Sequence, residues 1–95
     1  MNIKNITIIG TGNLGSRIGL QAAISSYNVI FYDISDSALS KAKASLEKLC
    51  NQLIKSNLLL EAKKEEALAR IEYAADLKKA LTDCDFISES VTEDL

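Results

Sequence analysis

The sequence predicts an α/β chain forming the first half of a doubly wound parallel sheet. Three observations carry that prediction. All four glycines, Gly10, Gly12, Gly15 and Gly19, fall in one short window directly after a β-branched apolar run. Strand-like and helix-like segments alternate along the chain, which calls for parallel pairing through right-handed crossovers. Proline is absent and no repeat, linker or low-complexity stretch is visible, so the 95 residues read as one folding unit.

Each element follows from its local pattern. Ile3 to Ile9 is a β-branched-rich run ending in Gly10-Thr11-Gly12, the pattern of a buried parallel strand entering a tight turn. From Asn13 to about Ser26, the residues Leu14, Ile18, Ala22 and Ala23 recur at helical spacing, with Gly15 and Gly19 on a neighbouring stripe. Those glycines imply a helix packed very close to its partner. Asn28 to Asp33 is too short for a helix and too apolar for a strand with one wet face, so it reads as a second buried strand. Ser35-Asp36-Ser37 then offers a cap to a long helical pattern through Leu39, Ala42, Leu46, Leu49 and Leu53. Ser56-Asn57 interrupts it, and a second helical piece runs roughly from Leu59 to Ala69, its Lys63-Lys64-Glu65-Glu66 cluster forming a solvated face. Together these pieces predict a long helical hairpin between strands two and three, larger than an ordinary crossover. Arg70 to Ala74 reads as the third strand, Asp76 caps a short helix through Leu81, and Cys84 to Val91 forms the fourth strand.

Composition narrows the function classes. Hydrophobic residues make up 47% of the chain and charged residues 25%, the balance of a globular protein with a real core rather than a disordered segment. A net charge of −2 leaves no basic surplus for a nucleic acid or an anionic bilayer, so neither is an expected partner. No apolar run approaches the ~20 residues of a membrane helix and no signal-peptide core follows Met1, which points to a cytoplasmic protein. Histidine is absent, and Cys50 and Cys84 lack metal-ligand spacing. No metal site is therefore expected, and both cysteines read as free thiols used as small apolar residues.

Gly10-Thr11-Gly12-Asn13-Leu14-Gly15 is a GxGxxG string. It is informative because it follows a predicted strand, opens a helix, and is joined by Asp33 at the end of the next strand, the context of a Rossmann-type dinucleotide site. Gly10 permits the tight turn, Gly12 lacks the Cβ that would hold the backbone away from a diphosphate, and Gly15 lets the helix approach the sheet. The unpaired N–H groups and positive end of that helix suit the diphosphate. Asp33 would accept hydrogen bonds from the ribose hydroxyls and repel a 2′-phosphate. Ile34 and Ser35 bring no arginine to neutralise one, so NAD is favoured over NADP. Ser35 and Asp36 are available to cap the following helix without Asp33. Arg17 reads as an exposed helix arginine, and Phe31 and Tyr32 as core.

These features resemble the start of the 3-hydroxyacyl-CoA dehydrogenase family across the whole chain. The resemblance lies in Gly10 to Gly15, the strand ending in Asp33, the long helical pair, Ala67-Leu68-Ala69-Arg70-Ile71, and the stretch from Asp85 to Leu95. The helical pair and the ExxxE pattern of Glu89 and Glu93 make it specific, since other folds with the same glycine motif usually lack them. The resemblance implies an oxidoreductase of fatty acid metabolism that converts an L-3-hydroxyacyl-CoA to the 3-oxoacyl-CoA with NAD as cofactor. It places Gly10, Gly12, Asn13, Leu14 and Gly15 on the family's diphosphate turn, Asp33 on its ribose acid, and Glu93 on a glutamate lining the cofactor site.

The chain departs from the family at several positions. Arg17 stands where the family commonly has glycine, and so does Ser26, where the first helix should end in a left-handed residue. The family's serine and lysine that contact coenzyme A correspond to Leu49 and Ser56, with Lys55 one place away. Its histidine base, with an orienting glutamate and an assisting serine and asparagine, falls beyond the matched region. Residues 1–95 are thus expected to be the amino-terminal part of an NAD-binding Rossmann domain, with the rest of that domain and a C-terminal helical domain absent. No catalytic residue is expected within them, and the segment alone is expected to be inactive. Acyl-CoA is the expected substrate, and a homo-oligomer is expected through the sheet edge left open by the fourth strand. The competing class is a non-catalytic NAD-sensing module, which would not usually carry the helical pair. A dehydrogenase of another hydroxy acid is a variant of the leading class.

Overall fold

The computed structural model describes residues 4–10 and 13–89. The β-branched opening forms β1 (Asn5–Ile9), followed by α1 (Asn13–Ile24), β2 (Asn28–Tyr32), α2 (Asp36–Lys55), α3 (Glu61–Ala69), β3 (Ile71–Ala74), α4 (Leu77–Leu81) and β4 (Phe86–Glu89). Each expected element is present in the expected order. The strands form one parallel sheet in the order β3-β2-β1-β4. β1 runs beside β2 from Asn5 opposite Asn28 to Ile9 opposite Tyr32, and beside β4 from Ile6 opposite Phe86 to Ile9 opposite Glu89. After β3 the chain therefore returns across the sheet to lay β4 against β1. That reversal is the switch point of a doubly wound fold.

Successive strand residues point to opposite faces, and the two faces differ. On one, Ile8, Val29 and Phe31 are fully buried together with Leu20, Ala23, Leu46 and Cys50, while Ile6 and Tyr73 pack at the margin. Cys50 and Cys84 are free, and burial pushes the Cys50 thiol up, as befits a core residue. The other face meets α4, where the Thr7 hydroxyl donates to the Ala80 carbonyl at 2.6 Å and both residues are buried. Ile87 on that face stays 47% exposed. No helix among the described residues is long and apolar enough to cross a membrane.

α1 buries part of the expected aliphatic stripe, with Ala23 buried and Ala22 packed at the core margin, but not all of it. Ile18 is 40% exposed, while Gly15, Ser16, Gly19, Leu20 and Ala23 are buried. The reason is Phe31. A Cβ added to Gly19 would lie 2.2 Å from Phe31 Cζ, so the ring occupies the space a side chain would need. Phe31 itself stacks on Tyr73, with ring centroids 5.8 Å apart and planes at 18°. The close approach of helix to sheet is made at Gly19, one turn after Gly15.

Element ends also differ from expectation. Arg70, expected within β3, caps α3: its N–H donates to the Ala67 carbonyl at 3.1 Å and its Nη1 to the Ala23 carbonyl at 2.9 Å. Cys84 and Asp85 precede β4, because Asp85 Oδ2 accepts from the backbone N–H groups of Lys4 and Asn5 at 3.0 and 2.9 Å. Those bonds hold its carboxyl below the usual carboxylate range. Ser90 and Val91, expected in the fourth strand, lie outside the described residues. α1 ends as the sequence implied, with Ser26 at φ 77. The N–H groups of Ser26 and Tyr27 donate to the carbonyls of Ala23 and Ala22 at 3.1 and 3.0 Å, the paired bonds of a Schellman cap. Asn57, at φ 61, ends α2 in the same way.

Two substitutions in α1 should act in opposite directions in urea denaturation. Gly19→Ala should destabilise by about 1–3 kcal/mol, because overpacking against a stacked ring outweighs the ~1 kcal/mol of helix propensity gained. Ser26→Gly should stabilise by about 0.5–1 kcal/mol, since the left-handed penalty removed exceeds the added entropy of the unfolded chain.

Candidate cofactor site

In an open parallel sheet the crevice for a ligand lies beyond the carboxyl ends of the strands at the switch point. Here that crevice falls at the ends of β1 and β4. Gly10 leaves β1 at φ 91, a left-handed conformation that favours glycine. Its N–H still donates to the Tyr32 carbonyl at 3.0 Å, so strand pairing persists to the residue where the chain turns. The chain re-enters at Asn13 as α1, whose first turn brings unpaired N–H groups and the positive helix end to the same pole.

Asp33 follows the last residue of β2 and is half-buried. Its N–H donates to the Ala74 carbonyl at 3.2 Å, and its Oδ1 accepts from the Ser35 N–H at 3.0 Å. Ser35 is the N-cap of α2, its Oγ accepting from the Ala38 N–H at 3.2 Å. Capping therefore falls to Ser35, as the sequence suggested, and the same turn holds the Asp33 carboxylate. The apolar Ile34 between them is 82% exposed.

The structure brings Gly10, Gly15 and Asp33 to one end of the sheet, with the backbones of Asn13 and Leu14 opening α1 beside them. Gly12 and Glu93 lie outside the described residues. A left-handed glycine at a strand end, a helix N-terminus immediately after it and a carboxylate at the end of the neighbouring strand fit a dinucleotide's diphosphate and adenosine ribose. Among the described residues no group of acidic, cysteine or histidine side chains could hold a metal ion.

A cavity of about 560 Å³ opens at the opposite pole, lined by Asn5, Asn28, Arg70, Lys79 and Asp83 among others. Size would favour it, but the chemistry does not. Asn28 Nδ2 donates to Asn5 Oδ1 at 3.1 Å and Asn5 Nδ2 to the Asp83 carbonyl at 3.0 Å, so its amides are bonded to each other and to backbone. Sequence reasoning missed one support of this end of the sheet, the Ser35 N–H on Asp33, and it anticipated the close approach at Gly19 without its partner, the Phe31 ring. The Asp-x-Ser spacing of Asp33 and Ser35 was a visible signal for the Ser35 bond.

Comparison with known proteins agrees with this geometry. The profile of the 3-hydroxyacyl-CoA dehydrogenase NAD-binding domain matches residues 5–95. A 3-hydroxybutyryl-CoA dehydrogenase of Bradyrhizobium diazoefficiens is 31% identical over 96% of this chain and 31% of its own length. An L-carnitine dehydrogenase of Bacillus cereus is 32% identical over 97% of the chain and 27% of its own length. Among solved structures, the (S)-3-hydroxybutyryl-CoA dehydrogenase PaaH1 of Ralstonia eutropha superposes with a TM-score of 0.89 at 35% identity, over 99% of this chain and 33% of that one. The chain spans about a third of the length of the curated relatives it matches.

Proposed function

Because the chain belongs to the NAD-binding domain family of the 3-hydroxyacyl-CoA dehydrogenases, we propose that it is the amino-terminal cofactor-binding part of an enzyme that oxidises a 3-hydroxyacyl-CoA thioester to its 3-oxo product. The observation that carries the proposal is the joint placement of the Gly10 turn, the start of α1 and Asp33 at the switch-point end of the sheet. When bound, NAD supplies the hydride acceptor. The backbone of Gly10, Gly12, Asn13, Leu14 and Gly15 would hold its diphosphate, and Asp33 would accept from the adenosine ribose hydroxyls. Ser35 orients that carboxylate through its N–H. Glu93 is proposed to line the same site. Removal of the hydroxyl proton needs a base within about 3 Å that titrates near neutrality. These 95 residues contain no histidine, so that step is proposed to fall to residues outside them.

The names of the similar proteins support an acyl-CoA substrate, and the L-carnitine dehydrogenase supports the variant in which the same scaffold serves another hydroxy acid. Self-association is proposed through β4, which among the described strands pairs only with β1 and leaves Phe86 51% exposed.

For the full-length enzyme, calorimetry should show NAD binding at least tenfold tighter than NADP, since a 2′-phosphate beside the Asp33 carboxylate should cost more than ~1.4 kcal/mol. Asp33→Ala should narrow that gap, and equal affinities in the unaltered enzyme would refute the assignment. The 95-residue chain alone should consume no NADH with acetoacetyl-CoA, yet its Gly10 and α1 amide resonances should shift with ADP-ribose. Light scattering should show its mass rising with concentration, and a constant monomer would count against association through β4.

A further inference from the structure

On the covered face of the sheet, α3 is the least anchored helix. Of its nine residues Ala67 alone is fully buried, whereas α2 buries Leu39, Ala42, Leu46 and Cys50. Its N-cap is Leu60, which makes no side-chain bond to the first turn, so α3 lacks the polar cap that Ser35 supplies to α2. A cavity of about 330 Å³, lined by Ile24, Ser26, Leu59, Lys63, Glu66 and Arg70 among others, opens where α3 meets the end of α1. A close-packed join would leave no such space.

Polar contacts of long reach hold α3 in place instead. Lys64 Nζ lies 3.1 Å from Glu47 Oε2 and donates to Asn51 Oδ1 at 3.1 Å, so one side chain of α3 grips adjacent turns of α2. That side chain is only 18% exposed, its stem withdrawn from water. The other ion pair among the described residues, Lys63 with Glu66, lies within α3 and joins it to no other element. At the far end, Arg70 caps α3 and its guanidinium donates to the Ala23 carbonyl. Turns flank α3 on both sides, with Asn57 at φ 61 before it and the Arg70 cap after it. Glu47 and Asn51 bracket Cys50, which is fully buried in the same core cluster as Leu59 and Ala67. Burial pushes its thiol up, with the Lys64 charge opposing, so the closed chain keeps it protonated and unreactive near neutrality.

We propose that α3 is a hinged strap that opens as a unit between residues 57 and 70, that the Lys64 clasp holds it shut, and that its opening exposes the Cys50 thiol. A segment with few buried apolar contacts opens at a fraction of the cost of global unfolding. The strap is independent of the cofactor and substrate readings, because its test uses no ligand. That test follows the reaction of Cys50 with dithiobis(nitrobenzoate) in the 95-residue chain carrying Cys84→Ser, at about pH 8, near the ordinary thiol range. The Cys50 thiolate attacks the reagent's disulfide, its proton passes to the buffer, and one coloured thiolate leaves for each mixed disulfide formed. Local opening exposes little surface, so the rate should vary weakly with urea below the unfolding transition. Lys64→Met should raise the rate at least about fivefold with that weak dependence kept, and Glu47→Ala should raise it by a smaller factor. Thr7→Val, which removes the buried bond to Ala80 on the opposite face of the sheet, should destabilise the chain in urea yet leave the low-urea rate within about twofold. In Lys64→Met, amide exchange should quicken in α3 by the same factor and stay unchanged in α2. A rate that climbs with urea as steeply as global unfolding, equal acceleration by Thr7→Val, no acceleration by either clasp variant, or joint opening of α2 and α3 would each overturn the proposal.

Discussion

The contact between Gly19 and the Phe31 ring sets the distance between α1 and the sheet, and the cofactor end depends on that distance. α1 is a twelve-residue rod, so a displacement at its middle moves its first turn as well. Phe31 cannot yield freely, because Tyr73 stacks beneath it from β3 and core atoms surround it. Arg70 fixes the other end of the helix by donating to the Ala23 carbonyl. A glycine in mid-helix costs about 1 kcal/mol of propensity; here it is offset by the aromatic packing that the missing side chain makes possible.

Among the described residues, the sheet is covered on one face and open on part of the other. Residues on the α1 side are buried among three helices, whereas the α4 side is covered by a five-residue helix and one short hydroxyl bond from Thr7 to Ala80. Strands of a parallel sheet normally need cover on both faces. The half-exposure of Ile87 on β4 is the direct consequence, whereas Phe86, in register with Ile6 on the α1 face, is half-exposed at the edge of the sheet.

At the carboxyl end of β2, the helix cap and the Asp33 carboxylate share one turn. Asp33 accepts from the Ser35 N–H, and Ser35 in turn accepts from the Ala38 N–H at the start of α2. The orientation of the Asp33 carboxylate is thus tied to the stability of the helix behind it. The apolar face of that helix, through Leu39, Ala42, Leu46 and Cys50, anchors it to the core. Core packing and the Asp33 carboxylate are linked through Asp33, Ser35 and Ala38.

Periodicity and turn chemistry by themselves determined the element order, the parallel class, the glycine turn at Gly10 and the acid at Asp33, while the left-handed end of α1 at Ser26 came from the family resemblance. These are local properties, readable because each depends on residues within a few positions of one another. Gly12 and Glu93 remain assignments from pattern and resemblance alone, since they lie outside the described residues. Only the tertiary structure decided that Ile18 stays 40% exposed and that the Phe31 ring of the next strand fills the space beside Gly19. It also decided that Arg70 caps rather than extends, through a carbonyl at Ala23, and that Asp85 latches onto Lys4 and Asn5 from the far end of the chain. Each joins residues distant in sequence, and a linear pattern carries no record of which distant backbone or ring will occupy the space beside it.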